Sequence, residues 1–255
     1  MINKWMHFSV MIVVFFVFSS SSVVNAIVPS RLLSFHDNPS SSTVSPFRSE
    51  QPPRKIAYLT FDDGPNRYTS QILKILRDEG ARATFFVIGT RVSYDPDITK
   101  QMLQEGHYVG LHSMTHDIKR LYNGTPTTLV HEMEEAHGIV LAATGLSTQL
   151  VRVPYGSKPY LTQTYRDSLV NAHFKLWDWT IDTYDWKSQS SINSVLQRVT
   201  NQSTRDVEVI LMHDSKLTVE ALPQIISTLR SKGYLLLPYR PSAHVEVNFW
   251  HDVRL

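Results

Sequence analysis

The chain is 255 residues long, 42% hydrophobic, formally charged at +2 and free of cysteine. That length and apolar content suit one large domain with short extensions, able to build a core without crosslinks. The charge is too small to recommend a nucleic-acid surface, and the lack of cysteine excludes disulfides, thiolate metal sites and a cysteine-linked lipid anchor, so any metal has to be held by His, Asp or Glu.

The N-terminus reads as an export signal. Lys4 supplies a positive start, Phe8 to Phe18 is an apolar run, Ser19 to Ser22 is small and polar, and Val24-Asn25-Ala26 resembles a small-residue cleavage site. The expectation is a signal peptide over residues 1–26 and a secreted or cell-wall-associated product. The alternative is an uncleaved membrane tether, against which the apolar run is short of the roughly 20 residues that a spanning helix needs. Residues 27–53, including Asn38-Pro39-Ser40-Ser41-Ser42, read as a Ser/Pro-rich spacer.

From residue 54 onward strand and helix patterns alternate. Apolar strand candidates fall at 56–61, 83–88, 107–111, 149–153, 174–179, 207–212 and 234–237, with helix candidates at 69–79, 94–105, 126–143, 160–171, 190–202 and 218–231. Thr69 is placed to cap the first helix, and Gly80, Gly106 and Gly233 stand where helices should stop. Repeated strand–helix units imply a parallel sheet with crossover helices. No Gly-x-Gly-x-x-Gly follows a strand, so a dinucleotide fold has no support. The expected fold is α/β, a distorted (β/α) barrel of about seven parallel strands over residues 54–240. The tail, 241–255, has little pattern beyond Phe249-Trp250, a pair suited to packing back on the domain.

Barrels of this kind collect their chemistry at the carboxyl ends of the strands, and five strands here deliver ionisable residues there. The first ends in Thr60-Phe61-Asp62-Asp63-Gly64-Pro65. Two adjacent like charges repel, and a bound cation is one way to hold them at a partly dry site; a solvated turn is the other, since Asp-Gly-Pro is good turn chemistry. His112-Ser113-Met114-Thr115-His116 follows the third strand. Two His four residues apart can face one point from a helical turn, and with one carboxylate they make a set that suits zinc or a similar divalent ion.

The fourth strand runs into Arg152-Val153-Pro154-Tyr155-Gly156. The arginine can grip a carboxylate by two parallel hydrogen bonds, and the turn exposes a backbone N–H that could meet a developing oxyanion; a plain strand-to-helix turn explains the same residues. Trp177 to Trp186 gathers four aromatics and three carboxylates. Trp177 and Trp179 alternate along a strand and read as core, whereas Trp186, beyond it, reads as a pocket wall. Ile210-Leu211-Met212-His213-Asp214 presents a histidine that serves as a general acid if a carboxylate keeps it protonated.

Together these segments resemble the polysaccharide deacetylases with a NodB-homology domain, carbohydrate esterase family four. All five motifs of that family stand in order within about residues 54–237: Thr-Phe-Asp-Asp-Gly-Pro, His-Ser-x-x-His, Arg-x-Pro-Tyr-Gly, Asp-x-x-Asp-Trp and Leu-x-His. The resemblance implies one divalent metal, usually Zn2+ with Co2+ as the alternative, held by Asp63, His112 and His116. It implies Asp62 as general base held by Arg152, and His213 as general acid paired with Asp185. The backbone N–H of Tyr155 would meet the oxyanion, with Trp186 and Leu211 lining the acetyl pocket. The implied reaction is removal of N-acetyl groups from a cell-wall polysaccharide, peptidoglycan N-acetylglucosamine first. An O-acetyl esterase on xylan-like polymers, a chitin or chitooligosaccharide deacetylase, and a wall-binding protein without catalysis are the competing readings.

Overall fold

A computed structural model describes residues 55–255. The expected signal peptide, 1–26, and spacer, 27–53, lie outside the described residues. In chain order the elements are β1 (Lys55–Gly64), α1 (Thr69–Asp78), β2 (Thr84–Val87), α2 (Gly89–Tyr94), α3 (Pro96–Gln104), β3 (Tyr108–Leu111), α4 (Ile118–Tyr122), α5 (Pro126–Thr144), β4 (Leu150–Val151), α6 (Gln163–Asn171), β5 (Lys175–Leu176), β6 (Ile181–Asp182), α7 (Ile192–Gln202), β7 (Val207–His213), α8 (Lys216–Ser231) and β8 (Tyr234–Leu236).

The apolar, aromatic-rich β1 is the hub. It pairs with β7 along Ile56–Asp62 on one edge, and with β8 at Lys55–Ala57 and β2 from Thr60 on the other. All ladders are parallel, in the order β5-β4-β3-β2-β1-β7-β6, with β8 beside β1. β5 and β6 stand at opposite ends of that order, yet only residues 177–180 separate them. The backbone explains how. The Lys175 and Trp177 N–H groups donate to Gln149 and Val151 on the β4 side, and those of Thr180 and Thr183 donate to Val209 and Leu211 on the β7 side. β5 and β6 are thus one run of chain that leaves the first edge of the sheet and joins the last. Counted so, the fold has the seven parallel strands of the expected distorted barrel, and the chain itself crosses the seam between the two edges. The strand expected at 174–179 is split by that crossing.

Side chains alternate across β1. Ala57, Leu59 and Phe61 join the main core with the buried faces of the helices, among them Leu73, Leu76, Leu222 and Ile226. Tyr58 belongs to a smaller cluster with Phe86, Leu150, Trp177, Val209 and Tyr239. On α5 the buried residues are Leu129, Glu132, Met133, Ala136 and Val140, the spacing of a core-facing stripe, with a glutamate inside it.

Local chemistry moves some expected boundaries. The helix expected at 94–105 is α3, and a short helix that was not expected, α2, precedes it. Asp95 separates the two and caps α3 by accepting the Ile98 N–H, with Pro96 at the first helical position. Thr69 does not cap α1. Its hydroxyl accepts the Asn66 N–H at 2.7 Å and donates to Asp214. The tail folds back: Val247 bridges Trp177, the Phe249 N–H donates to the Asp178 carboxylate at 2.7 Å, the Trp250 indole donates to the Ser157 carbonyl at 3.2 Å, and Leu255 is fully buried. Among the described residues no helix is long and apolar enough to cross a membrane.

Gly110 marks a close contact between neighbouring strands. A Cβ there would lie 2.8 Å from the Phe86 ring and 3.1 Å from the Leu150 carbonyl oxygen. Gly110→Ala is expected to destabilise the fold by about 1–3 kcal/mol through overpacking. Urea unfolding would show it as a lower midpoint at unchanged slope.

Candidate active site

The site begins with a fault in the β1 ladder. Asp62 pairs with Phe86 of β2 and Gly64 with Val87, so Asp63 is an extra residue, and its φ is 69°. In a regular strand Asp62 and Asp63 would point to opposite faces; a bulge re-aims the extra side chain. The result is two neighbouring carboxylates in different surroundings at one rim. Asp62 is 3% exposed and accepts a hydrogen bond from Arg152 Nη1 at 2.8 Å. Asp63 Oδ1 is buried without a hydrogen-bond partner, 3.5 Å from His112 Nε2 and 3.2 Å from His116 Nε2. One ligand atom from each of Asp63, His112 and His116 lies within 4.8 Å of the others.

The two histidines do not come from a helical turn, as the spacing suggested. Residues 112–117 form an irregular bend in which Ser113 (φ 64°) and His116 (φ 59°) are both left-handed. His112 Nδ1 lies 2.7 Å from the Arg152 carbonyl oxygen. A carbonyl only accepts, so Nδ1 carries the proton, and Nε2 is the ring atom that faces Asp63. Burial lowers the His116 pKa, seconded by His112 and outweighing the pull of Asp63. Burial alone would raise Asp63, but the charges of His112, His116, His213 and Arg91 outweigh it and hold the carboxyl below its usual range. A carboxylate oxygen with two imidazole Nε2 atoms facing it is a donor set that suits a divalent cation.

Arg152 is fully buried. Its grip on Asp62 is a single hydrogen bond rather than the two-pronged one expected. The remaining donors are committed elsewhere: Nη1 also meets Thr60 Oγ1 at 2.7 Å, Nε the Trp177 carbonyl at 3.1 Å and Nη2 the Asp178 carbonyl at 2.7 Å.

His213 ends β7 directly beside Asp62 in the ladder. Its Nδ1 lies 2.8 Å from Asp185 Oδ1, and Asp185 Oδ2 accepts the His213 backbone N–H at 2.7 Å and the Thr218 hydroxyl. Burial pulls the His213 pKa down, but the hydrogen bond and charge of Asp185, with the charges of Asp62 and Asp63, outweigh it and lift the value to about 9. One strand end therefore carries a carboxyl held by Arg152, and its neighbour carries a protonated imidazole.

These groups open on a cavity of about 390 Å³. Asp62, Asp63, His112, His116, Tyr155, Trp186, Leu211 and His213 all line it, while Arg152 and Asp185 stand behind as buried partners of Asp62 and His213. Tyr155 sits at φ 68°, its ring edge-on to His116 at 4.8 Å. Three residues were given no site role by the sequence reading. Trp179, expected as core, lines the cavity. So does Asp182, whose carboxyl burial pushes up and which accepts the Tyr184 N–H at 2.8 Å. Glu132 is buried behind the histidine bend and accepts from the Thr115 N–H and hydroxyl, each at 2.9 Å. Asp182 opens the Asp-x-x-Asp-Trp run, and Glu132 left the signal of a charge in an apolar stripe.

The sequence pattern of the family described as polysaccharide deacetylase matches residues 49–177. A peptidoglycan-N-acetylglucosamine deacetylase of Bacillus cereus is 44% identical over 218 residues, covering 83% of this chain and 79% of that protein. The chain belongs to the polysaccharide deacetylase family. A crystallised polysaccharide deacetylase of Bacillus cereus superposes with a TM-score of 0.75 at 45% identity, over 79% of this chain and all of that one. A chitooligosaccharide deacetylase of Sinorhizobium fredii is 32% identical, over 70% of this chain and 87% of that protein. This deacetylase is a hydrolase of the polysaccharide N-deacetylase class. The family pattern stops at residue 177, and Asp185, Trp186, Leu211 and His213 lie beyond it; the curl of the sheet carries Trp186, Leu211 and His213 back to the same cavity, with Asp185 behind His213.

Arg152→Met would leave the Asp62 carboxylate buried without its cation. The expected loss is about 3–5 kcal/mol, the usual result of breaking a buried pair from one side, measured by guanidinium unfolding of the purified protein.

Proposed function

We propose that the deacetylase removes N-acetyl groups from a cell-wall glycan, with peptidoglycan N-acetylglucosamine as the preferred substrate, using one divalent cation held by Asp63, His112 and His116. The supporting observation is the meeting, in one cavity, of an unpartnered buried Asp63 oxygen, two imidazole Nε2 atoms, the carboxylate of Asp62 and the imidazole of His213. The donor set fits a borderline-soft ion such as Zn2+, with Co2+ the natural substitute. Bound there, the ion would supply Lewis acidity toward the acetyl carbonyl and a lowered pKa for water.

The chain's own groups divide the remaining work. Asp62, held by Arg152, takes the proton of the attacking water. The Tyr155 backbone N–H, in the turn that lines the cavity, donates to the oxygen on which charge develops, an interaction whose loss typically costs about 10²–10³ in rate. His213 gives its proton to the departing amide nitrogen, which leaves as an amine, while Asp185 holds the imidazole in the donating form. Leu211 and Trp186 wall the space for the acetyl methyl. The N-terminal pattern of residues 1–26 supports export to the wall, where such a glycan is found. The B. cereus relative named for peptidoglycan N-acetylglucosamine supports that sugar first, and the Sinorhizobium relative makes chitooligosaccharides the second choice. Acetyl-xylan esters are the third substrate to compare.

Metal-loaded protein is expected to release acetate from peptidoglycan fragments faster than from chitooligosaccharides or acetyl-xylan, measured by coupled acetate assay. No release from any of the three would reject the reading. His213→Ala should slow amide cleavage by about 10²–10⁴-fold and ester cleavage less, because an alkoxide needs less help to leave. A general acid works only while protonated, so activity should fall as pH rises through the His213 pKa, about 9 in the native protein. Asp185→Asn removes the group that raises that value. Its alkaline limb should move down by about 1–3 pH units, read from kcat/KM against pH.

A further inference from the structure

We propose that Glu132 is a positioning residue for His116, and through it sets the cation affinity of the site; this rests on the ligand assignment above. Glu132 lies on α5 between Leu129 and Met133 in the core-facing stripe, and its side chain is 1% exposed. A carboxylate is expensive to bury there unless its oxygens are matched. Oε2 is matched by the segment that carries the second histidine, while Oε1 has no hydrogen bond and only the charge of Arg120 beside it. Oε2 accepts both the backbone N–H and the hydroxyl of Thr115 at 2.9 Å, and Oε1 stands 3.0 Å from Arg120 Nε.

The bend needs such a holder. Left-handed backbone is uncommon away from glycine and costs on the order of 1–3 kcal/mol per residue, persisting where the surroundings over-determine it. Ser113 and His116 are both left-handed, and Thr115 sits between them. The first half of the bend is tied to the start of α2, with the Gly89 and Thr90 N–H groups donating to the Ser113 and Met114 carbonyls at 3.0 Å. The second half has several side-chain ties; the Tyr155 hydroxyl donates to the His116 carbonyl at 3.1 Å from the cavity side, and the Asp117 N–H donates to the Thr115 hydroxyl at 3.3 Å. The Ser113 hydroxyl accepts the His116 N–H at 2.9 Å from within the bend, and Glu132 grips Thr115 from the helix layer. Arg120, on α4 just beyond, turns back to the same carboxylate, so residues 115–120 wrap around one buried charge. The direction of the His116 imidazole follows from the backbone that Glu132 holds.

The test uses the full mature chain, freed of metal and titrated with Co2+, with the d–d absorption band followed alongside thermal unfolding of the metal-free protein. Glu132→Gln is expected to weaken Co2+ binding by about 10–100-fold, the usual scale for losing a partner that orients a ligand, and to alter the band. Thr115→Val, which removes the hydroxyl bond and keeps the N–H bond, should lose at least about three-fold and keeps the test open if the Gln variant does not fold. Glu134→Gln, on the exposed side of the same helix, should change nothing. If Thr115→Val and any folded Glu132 variant lower the unfolding temperature but bind Co2+ with wild-type affinity and band, Glu132 is structural only and the proposal falls. If the wild-type chain takes up no Co2+, or His116→Ala takes it up as well as wild type, the ligand assignment itself fails, and the proposal with it.

Discussion

One buried guanidinium ties the sheet to the chemistry. Between β5 and β6 the chain leaves one edge of the barrel and reaches the other, and along that crossing the carbonyls of Trp177 and Asp178 face Arg152 instead of a neighbouring strand. The same side chain reaches inward to Thr60 and Asp62 and lies over the Phe86 ring at 4.2 Å. Its own carbonyl fixes the tautomer of His112. A charge this deep is tolerable when it is paired and hydrogen-bonded, and its four hydrogen bonds join the seam, the first carboxylate and the first imidazole in one arrangement. Stability and function cannot be varied independently at this position.

The second constraint is the bulge. Without it Asp63 would point away from Asp62 and out of the barrel mouth, and the pair would share no site. With it, the two carboxylates are separated by partner rather than by distance. Asp62 is satisfied by a permanent cation, while Asp63 keeps an oxygen free among imidazoles. The bulge is itself supported. Arg91 donates to the Asp63 carbonyl, and Gly64 packs so close to Asp214 that a Cβ would meet its carboxylate at 2.7 Å. Asp214, driven by burial to a pKa of about 7, sits where a larger neighbour at residue 64 would not fit.

The parts of the site legible in sequence were those whose chemistry depends on residue type. Asp62, Asp63, His112, His116, Arg152 and His213 were found because charged and ligating groups at the ends of apolar runs have few other reasons to be there. What misled was backbone conformation. His112 and His116 are spaced for a helical turn but come from a bend with two left-handed residues. Thr69 has the composition of a cap, yet its hydroxyl is used by Asn66 and Asp214. Arg152 has the geometry for a two-pronged grip, but the open seam competes for its donors. Trp179 alternates like a core residue and instead lines the cavity, because the strand carrying it changes edges there.

The order of apolar runs and helical stripes settled from sequence alone that strands would lie parallel with helices between them, because periodicity determines which face each segment must bury. Residue chemistry likewise marked the groups that could hold a cation or move a proton. Tertiary structure decided the rest: that β5 and β6 are one strand spanning a seam, that Asp63 turns to face the histidines, and that Glu132 holds the bend between them. Those outcomes depend on ladder register and on backbone angles imposed by contacts from distant segments. A local pattern of residue types carries no record of either.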